Sequence, residues 1–126
     1  MTTTLSPIIL FVYNRPDHVQ RGVASLLANE LASQSDLYIY SDAPKNEDAK
    51  EAVAKVREYI HTVKGFKSIT IVERDHNWGL ANSIIDGVTT LTQRYGRVIV
   101  LEDDLVVAPY FLRFMNDALE TYLISN

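Results

Sequence analysis

The stretch Val98-Ile99-Val100-Leu101-Glu102-Asp103-Asp104 runs from four branched aliphatic residues straight into three carboxylates. Four such residues in a row fit a strand buried on both faces, as in a parallel sheet. Three acids at the mouth of that strand repel one another and raise each other's pKa. A cation that offsets this repulsion is expected, and oxygen-only ligands beside phosphate suit Mg²⁺ or Mn²⁺. Acids are 16 of 126 residues, so three in a row arise by chance about 0.25 times. Requiring four apolar residues ahead of them, at 47% each, lowers this to about 0.01. The residues also allow a plainer reading, in which the acids cap the following helix and are solvated.

Outward from this stretch, the chain alternates strands and helices. Pro7 to Tyr13 reads as a buried strand, broken by Asn14-Arg15-Pro16. Val19, Val23, Leu26, Leu27 and Leu31 recur at helical spacing, with Asp17 in the first turn. Leu37 to Tyr40 is a second strand, ending at Ser41-Asp42-Ala43-Pro44. A helix starting near Asn46 carries Glu47 and Asp48 at its positive end and an apolar face of Val53, Val56, Ile60 and Val63. Gly65 stops it, and Ile69 to Val72 is a third strand. After a polar loop from Glu73 to Gly79, Ile84, Ile85, Val88, Leu91 and Tyr95 line a third helix that Gly96 ends. Arg97 to Leu101 is then the fourth strand, followed by Pro109 and a helix carrying Phe111, Phe114, Met115, Leu119 and Tyr122.

This alternation predicts an α/β fold with a mostly parallel sheet of about four strands flanked by helices. Ligands of such sheets bind outside the carboxyl ends of the strands. Asn14-Arg15, Ser41-Asp42, Asp75-His76-Asn77 and Glu102-Asp103-Asp104 all fall there. Their convergence argues for one site rather than scattered polarity.

Composition narrows the classes. One domain of 126 residues can bury a real core, and 47% hydrophobic with 22% charged residues is ordinary for a globular protein. A net charge of −4 with no long basic stretch leaves no footprint for nucleic acid. The absence of cysteine excludes disulfides and thiolate metal sites and fits a cytoplasmic, reducing location. No run approaches membrane-spanning length, and the N-terminus has no signal-peptide pattern. Tyr13-Asn14-Arg15-Pro16 lacks the glycines of a dinucleotide fingerprint or a P-loop, so phosphate must be held by side chains and metal. His18, His61 and His76 have no zinc-like spacing, and His61 suits the negative end of the second helix.

Several of these segments resemble a known family. Pro7 to Arg15, the Ser41-Asp42 strand end, the Trp78 loop and above all Glu102-Asp-Asp-Leu-Val-Val-Ala-Pro109 with Phe111 and Phe114 look like the GT-A glycosyltransferases. The nearest likeness is to the N-acetylglucosaminyltransferase I family (family 13) and its bacterial, family-2-like relatives. The resemblance implies a Rossmann-like nucleotide-diphospho-sugar transferase fold. Residues 1–126 would form its N-terminal, nucleotide-sugar-binding part, truncated relative to the full enzyme. It also implies transfer of a hexosyl or N-acetylhexosaminyl group from a nucleotide-diphospho-sugar, by the family's habit a UDP-sugar, to a glycan or other hydroxyl acceptor with inversion.

Carried across by position, the resemblance assigns Asp104, the last acid of the family's Asp-x-Asp motif, to Mn²⁺ or Mg²⁺ bridging the two phosphates. Glu102 and Asp103 would contact sugar and ribose hydroxyls, Asp42 the uracil edge, and Asn14 and Arg15 ribose or phosphate. Each assignment has a plainer counterpart: Asp42 before Ala43-Pro44 also suits a turn, Arg15 a surface ion pair, and Trp78 simple packing. The family's phosphate-binding histidine stands three positions before the tryptophan. Here that position is Asp75, and the histidine is His76. An inverting transferase also needs a general base. No acid ahead of the motif fits, so the base is expected beyond residue 126, this chain alone is expected to be inactive, and no catalytic residue is assigned in it. The aromatic last helix suggests exposed apolar surface through which the chain would form homo-oligomers. A non-catalytic nucleotide-sugar or metal-binding module is the alternative. A phosphoacceptor receiver domain would need acids after the first strand, where Asn14-Arg15 stands.

Overall fold

The computed structural model describes residues 4–125, with side chains up to residue 121. Four strands, β1 (Ile8–Val12), β2 (Asp36–Ser41), β3 (Ser68–Glu73) and β4 (Ile99–Glu102), alternate with four helices. These are α1 (Pro16–Leu27), α2 (Lys50–Ile60), α3 (Leu80–Tyr95) and α4 (Phe111–Ser125). All pairings are parallel and the sheet order is β3-β2-β1-β4. The chain therefore steps outward twice from β1 and then returns to its other side.

Two apolar layers follow from the alternation of side chains along the strands. Ile8, Leu10, Val12, Leu37, Ile39, Ile99 and Leu101 face α1, α2 and Leu112 of α4. Ile9, Phe11, Tyr38 and Tyr40 face α3 through Leu91, Ile84 and Tyr95. Tyr38 and Tyr95 share a 2.5 Å hydroxyl bond in that layer, and burial with this bond pushes the Tyr38 pKa up to about 12. Gly87 lets α3 settle on β1, since a Cβ there would stand 2.6 Å from Cδ1 of Ile9.

The strands buried on both faces are the two central ones, β1 and β2, not β4. Val100 is 41% exposed, because β4 lies at the sheet edge and α3 covers β1 beside it. The aliphatic run before the acids is therefore fully buried on only one of its faces. Three further details differ from the periodicity. α1 ends at Leu27, and Leu31 packs on the core from the turn beyond it, because Asn29 bonds to the loop before α4 instead of continuing the helix. α2 is preceded by a 3₁₀ turn at Glu47–Ala49, capped by Asn46 Oδ1 accepting from Ala49 N at 3.1 Å. In α4 the fully buried residue is Leu112, whereas Phe114 is 64% exposed; the Tyr122 side chain lies outside the described ones. No helix among the described residues is long and apolar enough to cross a membrane.

Candidate functional site

The chain adds β2 on one side of β1 and β4 on the other, and this reversal of strand order leaves a crevice at the carboxyl ends, the usual ligand position of an open parallel sheet. A cavity of about 320 Å³ occupies it, at the small end of the range for ligand pockets. Its floor is Phe11 and Tyr40, whose ring centroids are 5.7 Å apart. Asn14, Arg15, Asp42, Glu102, Asp103 and Asp104 all border it. So does Asn77, from the polar segment expected at this end of the sheet, together with Tyr13, Lys45 and Ser83, which sequence reasoning had not singled out as site residues.

The acidic loop is held by α1. Gly22 admits the loop backbone, since a Cβ there would meet the Leu105 carbonyl at 3.1 Å. One turn on, Ser25 Oγ donates to Gly22 O at 2.7 Å and accepts from Val107 N at 3.0 Å. Another turn on, buried Asn29 donates to Ser25 O and Ala108 O and accepts from Leu112 N at 2.8 Å. Gly22 and Ser25 of α1, with Asn29 just past its end, fasten the loop that begins at Asp103. Within that loop, burial pushes the Asp103 carboxyl up; Arg15 and His18 pull it back down, while Asp104 and Glu102 push it further up. The cluster is thus electrostatically unfavourable as it stands, which is the state a bound cation relieves.

The acids fit a hard divalent cation in a particular way. Among the described residues no group of three or more acidic, histidine or cysteine side chains is arranged to enclose a metal. One or two carboxylates with the remaining oxygens taken from phosphate and water is how Mg²⁺-type ions sit beside nucleotides. Glu102, Asp103 and the exposed Asp104 supply that partial set.

Asp42 is buried and fully used. Its Oδ1 accepts from Ala43 N and Trp78 N, each at 2.9 Å. Its Oδ2 accepts from Gly79 N at 2.9 Å and Asn77 Nδ2 at 3.2 Å. A carboxylate offers about four lone-pair sites, so protein donors fill this one. The aspartate at the end of β2 therefore pins the loop between β3 and α3 across the cavity. The turn role that Ala43-Pro44 suggested is part of the same anchor.

His76 does not join the cavity. It is paired with Asp75 at 2.7 Å, which holds the Asp75 carboxyl below its ordinary range, and it lines a separate open groove along α3. Trp78 is packed: the Arg74 guanidinium lies 3.8 Å from its ring centroid and bonds Asp86 at 2.6 Å.

A parallel sheet with a cavity at its reversal point, carboxylates at one wall and no glycine cradle, defines a protein of the nucleotide-diphospho-sugar transferase fold. The model of "Glycosyl transferase family 2" matches residues 8–122, and the chain belongs to that family. No curated protein matches it. Among solved structures it is similar to TarS of S. aureus, with a TM-score of 0.65 and 13% identity over 93% of this chain. It is also similar to the mannosyltransferase PcManGT from Pyrobaculum calidifontis, solved with GDP-Man and Mn²⁺, with a TM-score of 0.56 and 14% identity over 79% of this chain. The matched regions span 20% and 27% of those two chains. At these identities the likeness speaks for the fold. The family shown is family 2, and the narrower resemblance to family 13 enters only as part of the proposal below.

Proposed function

We propose that this chain binds a nucleotide-diphospho-sugar, with a UDP-sugar as the donor, and that it serves metal-dependent transfer of a hexosyl or N-acetylhexosaminyl group to a glycan or other hydroxyl. The observation that carries the reading is the meeting of Asn14, Arg15, Glu102, Asp103 and Asp104 in one cavity at the strand ends. Membership of glycosyl transferase family 2 supports glycosyl transfer as the reaction. The Mn²⁺ found with GDP-Man in the mannosyltransferase PcManGT supports the choice of ion.

In this proposal residues 1–126 are the donor-binding part. Asp104 holds Mn²⁺ or Mg²⁺. Glu102 and Asp103 accept from sugar and ribose hydroxyls, and Asn14 and Arg15 close over ribose and phosphate. Asp42 acts at the nucleobase end through the loop that it fixes. The bound ion would neutralise charge on the departing diphosphate. Inversion follows from direct displacement. The acceptor oxygen bonds to the anomeric carbon as its bond to the phosphate oxygen breaks. The electron pair leaves on that oxygen, and the hydroxyl proton passes to a base that we place outside residues 1–126. The site belongs to a cytoplasmic protein, and Leu105, Val106, Tyr110 and Phe114, all exposed, are available for self-association.

Titration calorimetry of UDP, with and without Mn²⁺, on the chain and on Asp104→Ala tests this. Binding that requires the ion and is lost in the variant is the expected result. Equal binding by both, or none by either, would overturn the donor-site reading.

A further inference from the structure

The cavity has two cationic side chains at its border, and they are placed differently. Arg15 follows β1, the strand paired with β4, and so stands on the side of the acids. Lys45 reaches the same cavity from the opposite side, on the loop after β2. The backbone of that loop is fastened at several points. Lys45 N donates to the Tyr13 hydroxyl at 2.9 Å, Ala43 N donates to Asp42 at 2.9 Å, and Asn46 caps the turn that follows. The Lys45 side chain is free by comparison. It is exposed and makes no ion pair among the described residues, whereas the next lysine, Lys50, is bound to Glu47 at 2.7 Å.

The rest of that wall offers no charge to an anion. Asp42 is negative and saturated, Asn77 is a neutral amide donating to Asp42 and Ala43, and His76 is outside the cavity beside Asp75. A diphosphate entering here faces three carboxylates across the cavity. Even beside a divalent ion, the diphosphate gains one negative charge when the sugar departs. A compact ammonium on a flexible stem, mounted on a fixed backbone, suits that charge.

We infer that Lys45 is a phosphate-binding residue of the donor site, contacting the diphosphate of a nucleoside diphosphate in place of the histidine expected at the Trp78 loop. The inference rests on the donor-site reading above. Its test compares UDP with uridine on the chain and on Lys45→Met, in the presence of Mn²⁺. Calorimetry follows UDP, and ligand-observed NMR follows uridine. Lys45→Met keeps the aliphatic stem and breaks no side-chain bond. Loss of one charge-assisted contact at an exposed position predicts UDP binding weakened about fivefold to tenfold. Uridine binding should be unchanged, and the salt dependence of UDP binding should be reduced. Lys45→Arg should recover most of the loss. Equal weakening of uridine and UDP, or no weakening of either, would overturn the assignment while leaving the donor site standing. Failure of the unaltered chain to bind UDP would overturn both.

Discussion

Asp42→Asn is nearly isosteric, yet it should be among the most damaging single changes in the chain. The carboxylate takes four N–H donors, two on each oxygen, at 2.9 to 3.2 Å. An amide can accept on one side only. Whichever way it is turned, its NH₂ faces two donors: Gly79 N with Asn77 Nδ2, or Ala43 N with Trp78 N. Two bonds to a charged acceptor are lost and two N–H groups lose their partner. Each such group costs about 1–3 kcal/mol where water cannot replace the partner. Asn77, Trp78 and Gly79 are only half-buried and recover part of this from solvent. The expected loss is therefore about 3 kcal/mol, a quarter to a half of an ordinary domain's stability. For a chain of this size that corresponds to a fall in Tm of roughly 10 °C. Urea unfolding followed by circular dichroism gives the number directly, and Trp78 fluorescence reports the loop. A loss below about 0.5 kcal/mol, the range of an unremarkable surface change, would refute the reasoning. It would mean that the Asp42 carboxylate is not what fixes the loop and is free for a ligand.

Asn29→Ala removes two hydrogen bonds that tie the end of α1 to the segment after the acidic motif, and a third to Ser25 O. It should cost about 2–3 kcal/mol in urea unfolding, and metal-dependent UDP affinity, measured on the folded variant, should fall as well. Unchanged affinity would show that the acids are positioned by something other than these contacts. For Asp103 the sign of the pH effect follows from its raised pKa. The native state holds the proton to a higher pH than the unfolded chain does, so stability falls as pH rises from the ordinary carboxylate range through the raised value. Metal-free Asp103→Asn should therefore be more stable than the parent at neutral pH and lack this decline, while binding donor less well; an unchanged pH profile of unfolding would count against it.

How much of this was legible beforehand divides along a physical line. Hydrophobic periodicity is a one-dimensional record of burial, and it located every strand and helix because each buries at least one apolar face. It could not say which strand lies at the edge, since that depends on where α3 returns. Val100 therefore looked like core and is 41% exposed. The meeting of Asn14, Arg15, Asp42 and the three acids was predictable because the carboxyl ends of parallel strands must lie together. What each side chain does there was less accessible. Whether Asp42 reads a ligand or the protein's own amides is decided by a loop 36 residues away. Whether His76 or Lys45 faces the cavity is decided by loop paths that apolar spacing does not encode. One signal was present but unused: Gly22, Ser25 and Asn29 follow one another at helical spacing along the amphipathic α1 and the turn just past it. Small and amide side chains placed one turn apart give a neighbouring backbone room to approach and partners for its polar groups. On α1 they do so for the loop that carries the acids. The geometry of the acidic wall is therefore written in the first helix as well as in the motif itself.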